Sequence, residues 1–365
     1  MKILLLGDFS GLHVNLGDGL RELGHTVTVA SDGNGYKQYK RDIDISWNGR
    51  FRYFKMIWKL MTIFPRFLNY DVVQLVGMPF LDLRPLNNEI VFRCLKLFNK
   101  HVFLGSNTTE LEYVRYASEV GFKASFMNIK RIIDTDPWAK KYINGIIDKR
   151  YRKIHERVTD RVEGVTACCT EYKMGCDLSY SDKSIFIPLP YQVNEESMVN
   201  TIKKEGKVRF FLGMQNHRAA IKGMDVIKAA LIDLKAKHPD EVEITIVDSV
   251  PYDEYRKLME GSHVICDQLY SYGAGLNAVI ALSKGLIVVG GGEEYMYELF
   301  GEKDNKPIIN LPDTKEGVVQ VLESLLERRD ELPHLAIKSR EFALKYHDHI
   351  KVAQQYVDFW ESKML

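Results

Sequence analysis

The sequence lacks an excess of charge of either sign, because 50 lysines and arginines stand against 49 acidic residues. A net charge of +1 gives no reason to expect a nucleic-acid partner. Cysteine is scarce too, and neither a Cys-x-x-Cys pair nor a zinc-type spacing with histidine occurs. We therefore expect buried or reduced thiols at the five positions, which are Cys94, Cys168, Cys169, Cys176 and Cys266.

Long apolar runs are missing near the amino terminus. The apolar run 3–6 that follows Lys2 is too short for a signal-peptide core or a membrane-spanning helix, so we expect a cytoplasmic protein. Repeats of about 20 to 50 residues and low-complexity tracts are also missing. A length of 365 residues with 45% hydrophobic content predicts two domains, each with a substantial core.

The first 30 positions predict a βαβ unit. Residues 3–7 form a short apolar run that ends in glycine, which is typical of a parallel strand buried on both faces. Residues 26–30 supply a second strand. Between them, leucines at helical spacing form one apolar stripe that stops at Gly24. These leucines are Leu12, Leu16, Leu20 and Leu23.

Further buried strands are predicted in both halves of the chain. They are residues 72–76, 102–104, 164–167 and 185–188, and then 208–212, 244–247, 264–266, 286–289 and 308–311. Helical patterns between them complete the alternation, and the proline-containing and charged stretch 188–207 breaks it as a linker would. The sequence therefore predicts an α/β protein with two Rossmann-like, doubly wound parallel-sheet domains that face each other across a cleft.

We place the first domain at residues 1–195 and the second at 196–344. The last segment, 345–365, has apolar residues at helical spacing. These are Ile350, Ala353, Val357 and Trp360. We expect this final helix to cross back and pack on the first domain.

Two cations stand in the turn that follows the first strand of the second half. This turn runs from Gly213 to Gly223 and places Arg218 and Lys222 at the entrance to a helix. Ligands of open parallel sheets lie beyond the carboxyl ends of the strands. A phosphate would be held there by charge-assisted hydrogen bonds and by the positive end of the helix dipole. The alternative is a solvated loop in which the two cations bind nothing specific.

Two glycine-rich loops follow later strands of the same half. Residues 272–277, Tyr-Gly-Ala-Gly-Leu-Asn, precede a small apolar helix, and their glycines would let the backbone approach a ligand closely. Ordinary packing explains a single Gly-x-Gly equally well. Residues 290–294, Gly-Gly-Gly-Glu-Glu, would open on the same edge of the cleft.

Residues 211–223 and 263–289 resemble the donor half of the retaining glycosyltransferases with two Rossmann-like domains, which have the GT-B fold. The first strand, its glycine turn and residues 23–27, Leu-Gly-His-Thr-Val, look like the start of that family's acceptor domain. Ile187 and Pro188 resemble the segment before its interdomain linker. The resemblance extends over nearly the whole chain.

The resemblance implies transfer of a hexose from a nucleoside-diphosphate sugar to a glycan or lipid-linked acceptor in cell-surface polysaccharide assembly, without a cofactor or a metal. It assigns the diphosphate to Arg218 and Lys222. The donor residues that it implies or that lie in the same loops are Gly213, Tyr272, Gly273, Gly275, Leu276, Asn277, Glu293 and Glu294. The first domain would bind the acceptor through Gly11, Asn15, Ser106, Asn107 and Thr108.

The sequence departs from the family at two positions. The family has glutamates there that contact the donor sugar and the ribose, whereas this chain has Tyr272 and Ile280. Isoleucine cannot accept a ribose hydroxyl, and a hydrogen bond to a charged group contributes about 1.5 to 3 kcal/mol. Three explanations stay open. Asn277, Glu293 or Glu294 substitutes, donor recognition differs, or the activity has been lost.

The chemistry requires stabilisation of charge on the leaving group. Cleavage of the bond between sugar and diphosphate produces an oxocarbenium-like sugar and an additional negative charge on the phosphate. Arg218 and Lys222 would stabilise that charge electrostatically, with no requirement for a metal. The residues do not decide between retention and inversion at the anomeric carbon.

Two other groups are candidates for chemistry. Asp134 and Asp136 could hold a divalent metal, or they could form a turn and helix start before Pro137. Among the histidines, we favour His13 for an acid–base role because its loop is expected to face the cleft. His217 and His263 are weaker candidates.

Residues 51–66 predict a basic amphipathic helix. Its apolar face would hold Phe54, Ile57, Trp58, Met61 and Phe64, and its basic face Arg52, Lys55, Lys59 and Arg66. The helix either packs on the first sheet with its basic face in solvent, or it docks on an anionic membrane near a lipid-linked acceptor.

Two rival functions remain beside glycosyl transfer. Ile280 motivates a non-catalytic protein that binds a sugar or nucleotide on the same scaffold. A sugar-nucleotide epimerase can share the architecture and would act with no acceptor present.

Overall fold

The computed structural model describes residues 1–33, 38–47, 52–107, 111–199, 206–215, 218–250 and 252–364, with only the backbone of 52–54, 252 and 253. Thr108 and His217 lie outside the described residues. The first half alternates strands and helices. Its elements are β1 (Lys2–Leu6), α1 (Leu12–Glu22), β2 (Thr26–Ser31), β3 (Ile43–Asp44), α2 (Arg52–Ile63), β4 (Val72–Leu75), α3 (Pro85–Phe98), β5 (His101–Ser106), α4 (Leu111–Glu119), α5 (Lys130–Thr135), α6 (Pro137–Ile147), α7 (Lys149–Thr159), β6 (Val165–Ala167), α8 (Thr170–Tyr180) and β7 (Ser184–Phe186).

The second half repeats the alternation and ends in three helices. Its elements are β8 (Val208–Met214), α9 (Ala219–Lys222), α10 (Met224–Lys237), β9 (Val242–Asp248), α11 (Tyr252–Glu260), β10 (Val264–Cys266), α12 (Leu276–Ser283), β11 (Ile287–Gly290), α13 (Glu294–Phe300), β12 (Ile309–Asn310), α14 (Lys315–Glu327), α15 (Leu332–Tyr346) and α16 (His349–Met364).

The strands form two sheets that are parallel throughout. A seven-stranded sheet has the order β3-β2-β1-β4-β5-β6-β7, and a five-stranded sheet has the order β12-β11-β10-β8-β9. In each sheet the first strand lies between strands that come later in the chain, so the strand order reverses beside β1 and beside β8. Ligands of doubly wound sheets bind in the crevice at such a reversal. The fold is therefore α/β with two doubly wound parallel sheets, as predicted.

The last helix, α16, packs on the first sheet rather than on the second. Trp360 is fully buried in a core cluster that also contains Ile3, Leu5 and Phe103. Its Nε1 donates a hydrogen bond of 3.1 Å to Oε1 of Gln74 on β4. A Cβ at Gly19 of α1 would lie 2.3 Å from a backbone oxygen of α16, so only glycine permits this close approach. The beginning and the end of the chain thus share one core.

Helix α2 packs on the first sheet through a face that the sequence pattern did not favour. Met56 and Leu60 are buried in the core, whereas Trp58 and Met61 are 71% and 67% exposed. Lys59, which was predicted on the basic face of this helix, forms an ion pair, because its Nζ lies 3.5 Å from Oδ2 of Asp44. The helix therefore both contacts the sheet and presents apolar side chains to solvent. No helix in the described part of the chain is long and apolar enough to cross a membrane.

Candidate active site

A cavity of about 1040 Å³ lies between the two sheets. Its lining comes from loops that follow parallel strands of both sheets. Residues 7–10 follow β1, residues 76 and 78–82 follow β4, Asn107 follows β5, and Arg218 and Lys222 follow β8. The cavity therefore occupies the position beyond the carboxyl ends of the strands at which such folds bind ligands.

Arg218 and Lys222, the two cations that the sequence analysis assigned to a diphosphate, both line this cavity. The guanidinium carbon of Arg218 lies 5.2 Å from the ring centre of Trp138, which comes from α6 of the first half. Among the described residues, no acceptor hydrogen-bonds Nε of Arg218. Helix α9 has only four residues, so the binding of a phosphate here would depend on the two cationic side chains rather than on a long helix dipole.

Gly223 ends α9 in a left-handed conformation, with φ of 68°. A Cβ at this position would lie 2.6 Å from Cβ of Leu269. Glycine is therefore required both by the backbone angle and by the close neighbour. The turn places Lys222 at the cavity immediately before α10 begins at Met224.

Asp267 is a buried carboxyl group that the sequence analysis missed. Backbone N–H groups of Gln268 and Gly275 donate to its side chain, and burial raises its pKa although the charge of Lys222 acts in the opposite direction. The carboxyl group therefore attaches the glycine turn to the end of β10 beside the cation. The only sequence signal was an acidic residue directly after a buried strand.

The glycine turn contributes two of its predicted residues to the cavity. Gly275 and Leu276 line it, whereas Tyr272, Gly273 and Asn277 are not among the lining residues. The hydroxyl group of Tyr272 accepts a 2.6 Å hydrogen bond from the backbone N–H of Lys123. Tyr272 therefore reaches across to the first half of the chain and does not occupy the place of a donor-binding glutamate.

Gly273 and Gly213, two further predicted donor residues, have packing roles in the structure. A Cβ at Gly273 would lie 2.7 Å from the sulfur of Met296, and a Cβ at Gly213 would lie 2.4 Å from the ring of Tyr255. A side chain at Gly213 would displace the ring of Tyr255, and one at Gly273 would displace the flexible side chain of Met296. Neither residue is among those that line the cavity.

Glu171, at the start of α8, holds the glycine turn from the opposite half of the chain. Its Oε1 accepts a 2.6 Å hydrogen bond from Oγ of Ser271 and a 2.9 Å hydrogen bond from the N–H of Tyr272. The residue is only 7% exposed, and burial raises its pKa. Sequence reasoning missed Glu171, because a carboxylate in the first turn of a helix is common and gives no sign of its partners.

Glu293 and Glu294, which could substitute for the family glutamates, point elsewhere. Glu293 accepts hydrogen bonds from Nζ of Lys123 at 2.5 Å and from Nδ2 of Asn310 at 2.8 Å. Glu294 is exposed and pairs with Lys306. Neither glutamate lines the cavity. Ile280 is buried in the apolar core of the second half, so the ribose position of the family has no carboxylate here.

The loop after β1 differs in detail from the expectation. His13 is fully buried, its Nδ1 donates to the carbonyl oxygen of Gly7 at 2.7 Å, and burial lowers its pKa to about 4. Nδ2 of Asn15, in the first turn of α1, donates to the oxygen of Gly11. Residues 7–10 of this loop line the cavity as the sequence analysis expected of the loop, whereas His13, Gly11 and Asn15 are not among the lining residues.

Other residues of the first half face the cavity instead. Asn107 lines it and donates a 2.9 Å hydrogen bond to the oxygen of Val76, while Ser106 is buried at the end of β5. The aromatic side chains of Trp47 and Phe80 also line this part. They provide flat apolar faces of the kind on which ligand rings pack. The sequence analysis missed both.

Asp136 caps a helix. Its Oδ1 accepts a 2.7 Å hydrogen bond from the N–H of Ala139 at the start of α6, which is the helix-start alternative for the Asp-Thr-Asp segment. His263 is buried beside Arg209, and burial lowers its pKa to about 4. Within the described residues, no three His, Cys, Asp or Glu side chains form a group that could hold a metal ion.

Comparison with known proteins identifies the architecture. No protein-family model and no curated protein sequence matches the chain. Sucrose-phosphate synthase from Thermosynechococcus elongatus has a TM-score of 0.65 at 12% identity, over 99% of both chains. HepE from Anabaena, in complex with UDP-glucose, has a TM-score of 0.63 at 13% identity, over 99% of this chain and 100% of that chain.

A third similar structure is a Listeria monocytogenes protein assigned as a UDP-N-acetylglucosamine 2-epimerase. Its TM-score is 0.56 at 11% identity, over 99% of this chain and 95% of that chain. These likenesses agree with the two parallel sheets and with the loops that meet at one cavity. The chain therefore has the GT-B fold, with two Rossmann-like sheets of the kind found in glycosyltransferases.

Proposed function

We propose that the protein transfers a hexose from a nucleoside-diphosphate sugar to a glycan or lipid-linked acceptor. The observation that carries the proposal is that Arg218 and Lys222 lie together in one cavity with the backbone of Gly275. Two cations beside a glycine turn suit a diphosphate. Residues 196–344 would bind the donor, and residues 1–195 would bind the acceptor with Asn107, Trp47 and Phe80.

The proposed mechanism is electrostatic. As the bond between sugar and phosphate breaks, Arg218 and Lys222 stabilise the negative charge on the leaving diphosphate. Trp138 restricts the guanidinium of Arg218 before the substrate arrives, so little orientation is lost during the reaction. We propose that the reaction needs no metal or cofactor and, from the family resemblance, that it retains the anomeric configuration.

An epimerase is the second candidate, favoured by the likeness to the Listeria monocytogenes protein. A non-catalytic binding protein is the third, favoured by the absence of a carboxylate at Ile280 and by the placement of Tyr272 away from the cavity. The three functions differ in a simple way. A transferase consumes the nucleotide sugar only when an acceptor is present. An epimerase converts the nucleotide sugar without an acceptor, and a binding protein does not convert it at all.

The test is a thermal-shift panel of UDP, GDP, TDP and ADP sugars, followed by turnover assays in EDTA with and without oligosaccharide or lipid-linked acceptors. We expect one class of nucleotide sugar to raise the Tm, because two cations gain a diphosphate partner. Product should form only when acceptor is added, and EDTA should not lower the rate. Isomerisation without acceptor would instead support the epimerase, and binding without turnover would support the non-catalytic protein.

The outer faces of α2 and α3 support a role at a membrane. Trp58 and Met61 are exposed on α2, and α3 exposes Ile90, Leu97 and Phe98. Both helices bury their inner faces in the same core cluster. Among their described side chains, no carboxylate is exposed. Such a surface suits the apolar and anionic environment of a lipid headgroup region.

Helix α2 also reaches the cavity. Met56 of α2 lines it, on the opposite side of the helix from the exposed apolar residues. Lys55 and Arg66 are exposed cations beside the apolar side chains. We therefore propose that α2 and α3 rest on an anionic membrane and bring a lipid-linked acceptor to the first half of the cavity, as expected for assembly of a cell-surface polysaccharide.

Replacement of Trp58 and Met61 by serine should weaken binding to phosphatidylglycerol-containing vesicles about tenfold. Partial burial of these side chains contributes about 1.5 kcal/mol, and 1.4 kcal/mol corresponds to a factor of ten. Sedimentation with vesicles measures the effect. The matched control is Ile232→Ser, which removes a half-exposed apolar side chain from α10. Equal binding by the double variant and the unchanged protein would contradict the proposal.

A further inference from the structure

Two adjacent thiols stand in the wall of the cavity. Cys168 and Cys169 follow β6 and precede α8. Side chains of successive residues in a strand point to opposite faces, yet here the two sulfurs are 3.8 Å apart. They converge because Cys169 is the residue at which the chain leaves the strand and turns into α8. Both residues line the cavity.

The pair lies where the two halves of the cavity meet. Leu189 and Tyr172 line the same region from the first half, and Leu276 lines it from the second. Cys168 is only 6% exposed and packs with Leu189 in a shared core cluster. A group bound to both sulfurs would therefore occupy the junction between the proposed donor and acceptor sites.

Both thiols are uncombined in the structure. The hydrogen bond with Cys168, together with burial, raises the pKa of Cys169 well above its usual range. Oxidation and alkylation require the thiolate, so Cys169 resists these reactions near neutral pH. A trivalent arsenical is a soft centre that prefers sulfur ligands, and two sulfurs held close together chelate it.

We propose that Cys168 and Cys169 form a dithiol site that binds one trivalent arsenical through both sulfurs. With phenylarsine oxide, two S–H bonds break and two As–S bonds form. The arsenic oxygen leaves with the two protons as water, and the arsenic stays trivalent. Of the three other cysteines, Cys176 and Cys266 are buried in two different core clusters and Cys94 lies on α3.

The test treats the folded, full-length protein with phenylarsine oxide in excess glutathione and measures the intact mass. We expect one phenylarsenic group per chain that glutathione does not remove and that 2,3-dimercaptopropanol does remove, because only a dithiol competes with a chelate. Cys168→Ser and Cys169→Ser should each abolish the adduct. Cys94→Ser, the matched control on α3, should keep it.

Alanine variants at the same two positions should behave as the serine variants do, which excludes an effect of a buried hydroxyl group on folding. The proposal would be overturned if no glutathione-resistant adduct formed, or if the adduct survived in both single variants. The mass measurement needs no sugar substrate. Its outcome is therefore separate from the success or failure of the proposed transferase activity.

Discussion

Arg218→Ala should lower kcat/KM for the nucleotide sugar about 100-fold. The lost interaction is a charged hydrogen bond in a partly buried site, which contributes about 1.5 to 3 kcal/mol, and removal of one oxyanion-stabilising donor typically costs about 100-fold or more. Arg218 is half-buried against Trp138. We therefore expect that no mobile side chain from the surface takes over its role in Arg218→Ala. Initial-rate kinetics with saturating acceptor measure the change.

The size of the effect is judged against matched variants. Lys222→Ala should give a loss of the same order, since Lys222 lines the same cavity. Lys228→Ala removes an exposed lysine of α10 and should leave kcat/KM within about twofold. A rate for Arg218→Ala within twofold of the unchanged protein would remove the basis of the proposed function.

Glu171→Ala should lower the Tm by about 4 to 8 °C and raise KM for the donor. The substitution leaves the buried N–H of Tyr272 and the hydroxyl group of Ser271 without their acceptor, at a cost of about 2 kcal/mol. It also removes the two hydrogen bonds that hold the turn containing Gly275, which lines the cavity. We therefore expect the KM to change more than kcat, and amide hydrogen exchange to quicken in residues 271–275.

Glu171→Gln is the conservative test, because the amide oxygen still accepts the two hydrogen bonds. It should restore most of the donor affinity. Glu119→Ala, which removes an exposed glutamate at the end of α4, is the control for loss of a carboxylate in the same half. Unchanged hydrogen exchange across the turn in Glu171→Ala would show that Glu171 does not position it.

The positions of the strands in the two sheets follow from apolar patterns in the sequence. Buried parallel strands are short apolar runs, and the predicted runs correspond to eleven of the twelve strands, β3 being the exception. At β8 the predicted end at Leu212 was too early, because Gly213 makes room for the ring of Tyr255 and the strand continues to Met214. The two-residue strand β3 is too short to show any alternation.

Helix faces were harder to assign. The periodicity of apolar residues shows which face of a helix is the most hydrophobic, and for α2 it placed Trp58 and Met61 on that face. The sheet instead buries Met56 and Leu60, which face it once the chain enters the helix. Which face meets the core depends on how the helix is attached to its neighbours, and a hydrophobic pattern with two apolar sides does not contain that information.

The candidate site was predictable where it depends on local sequence. Arg218, Lys222 and Gly275 reach the cavity because loops after parallel strands converge there. Two contacts were not predictable: Glu171 with the N–H of Tyr272, and the hydroxyl group of Tyr272 with the N–H of Lys123. Each contact joins segments about one hundred or more residues apart. Such pairs exist only after both sheets have packed.

The shared core of α16 and the first sheet has a consequence for synthesis of the protein. Chains usually fold from the amino terminus as they leave the ribosome. Here Ile3 and Phe103 share a core with Trp360, which is translated long after both of them. The strands of the five-stranded sheet all precede α16 in the chain, so that sheet is free to mature before the core of the seven-stranded sheet is complete.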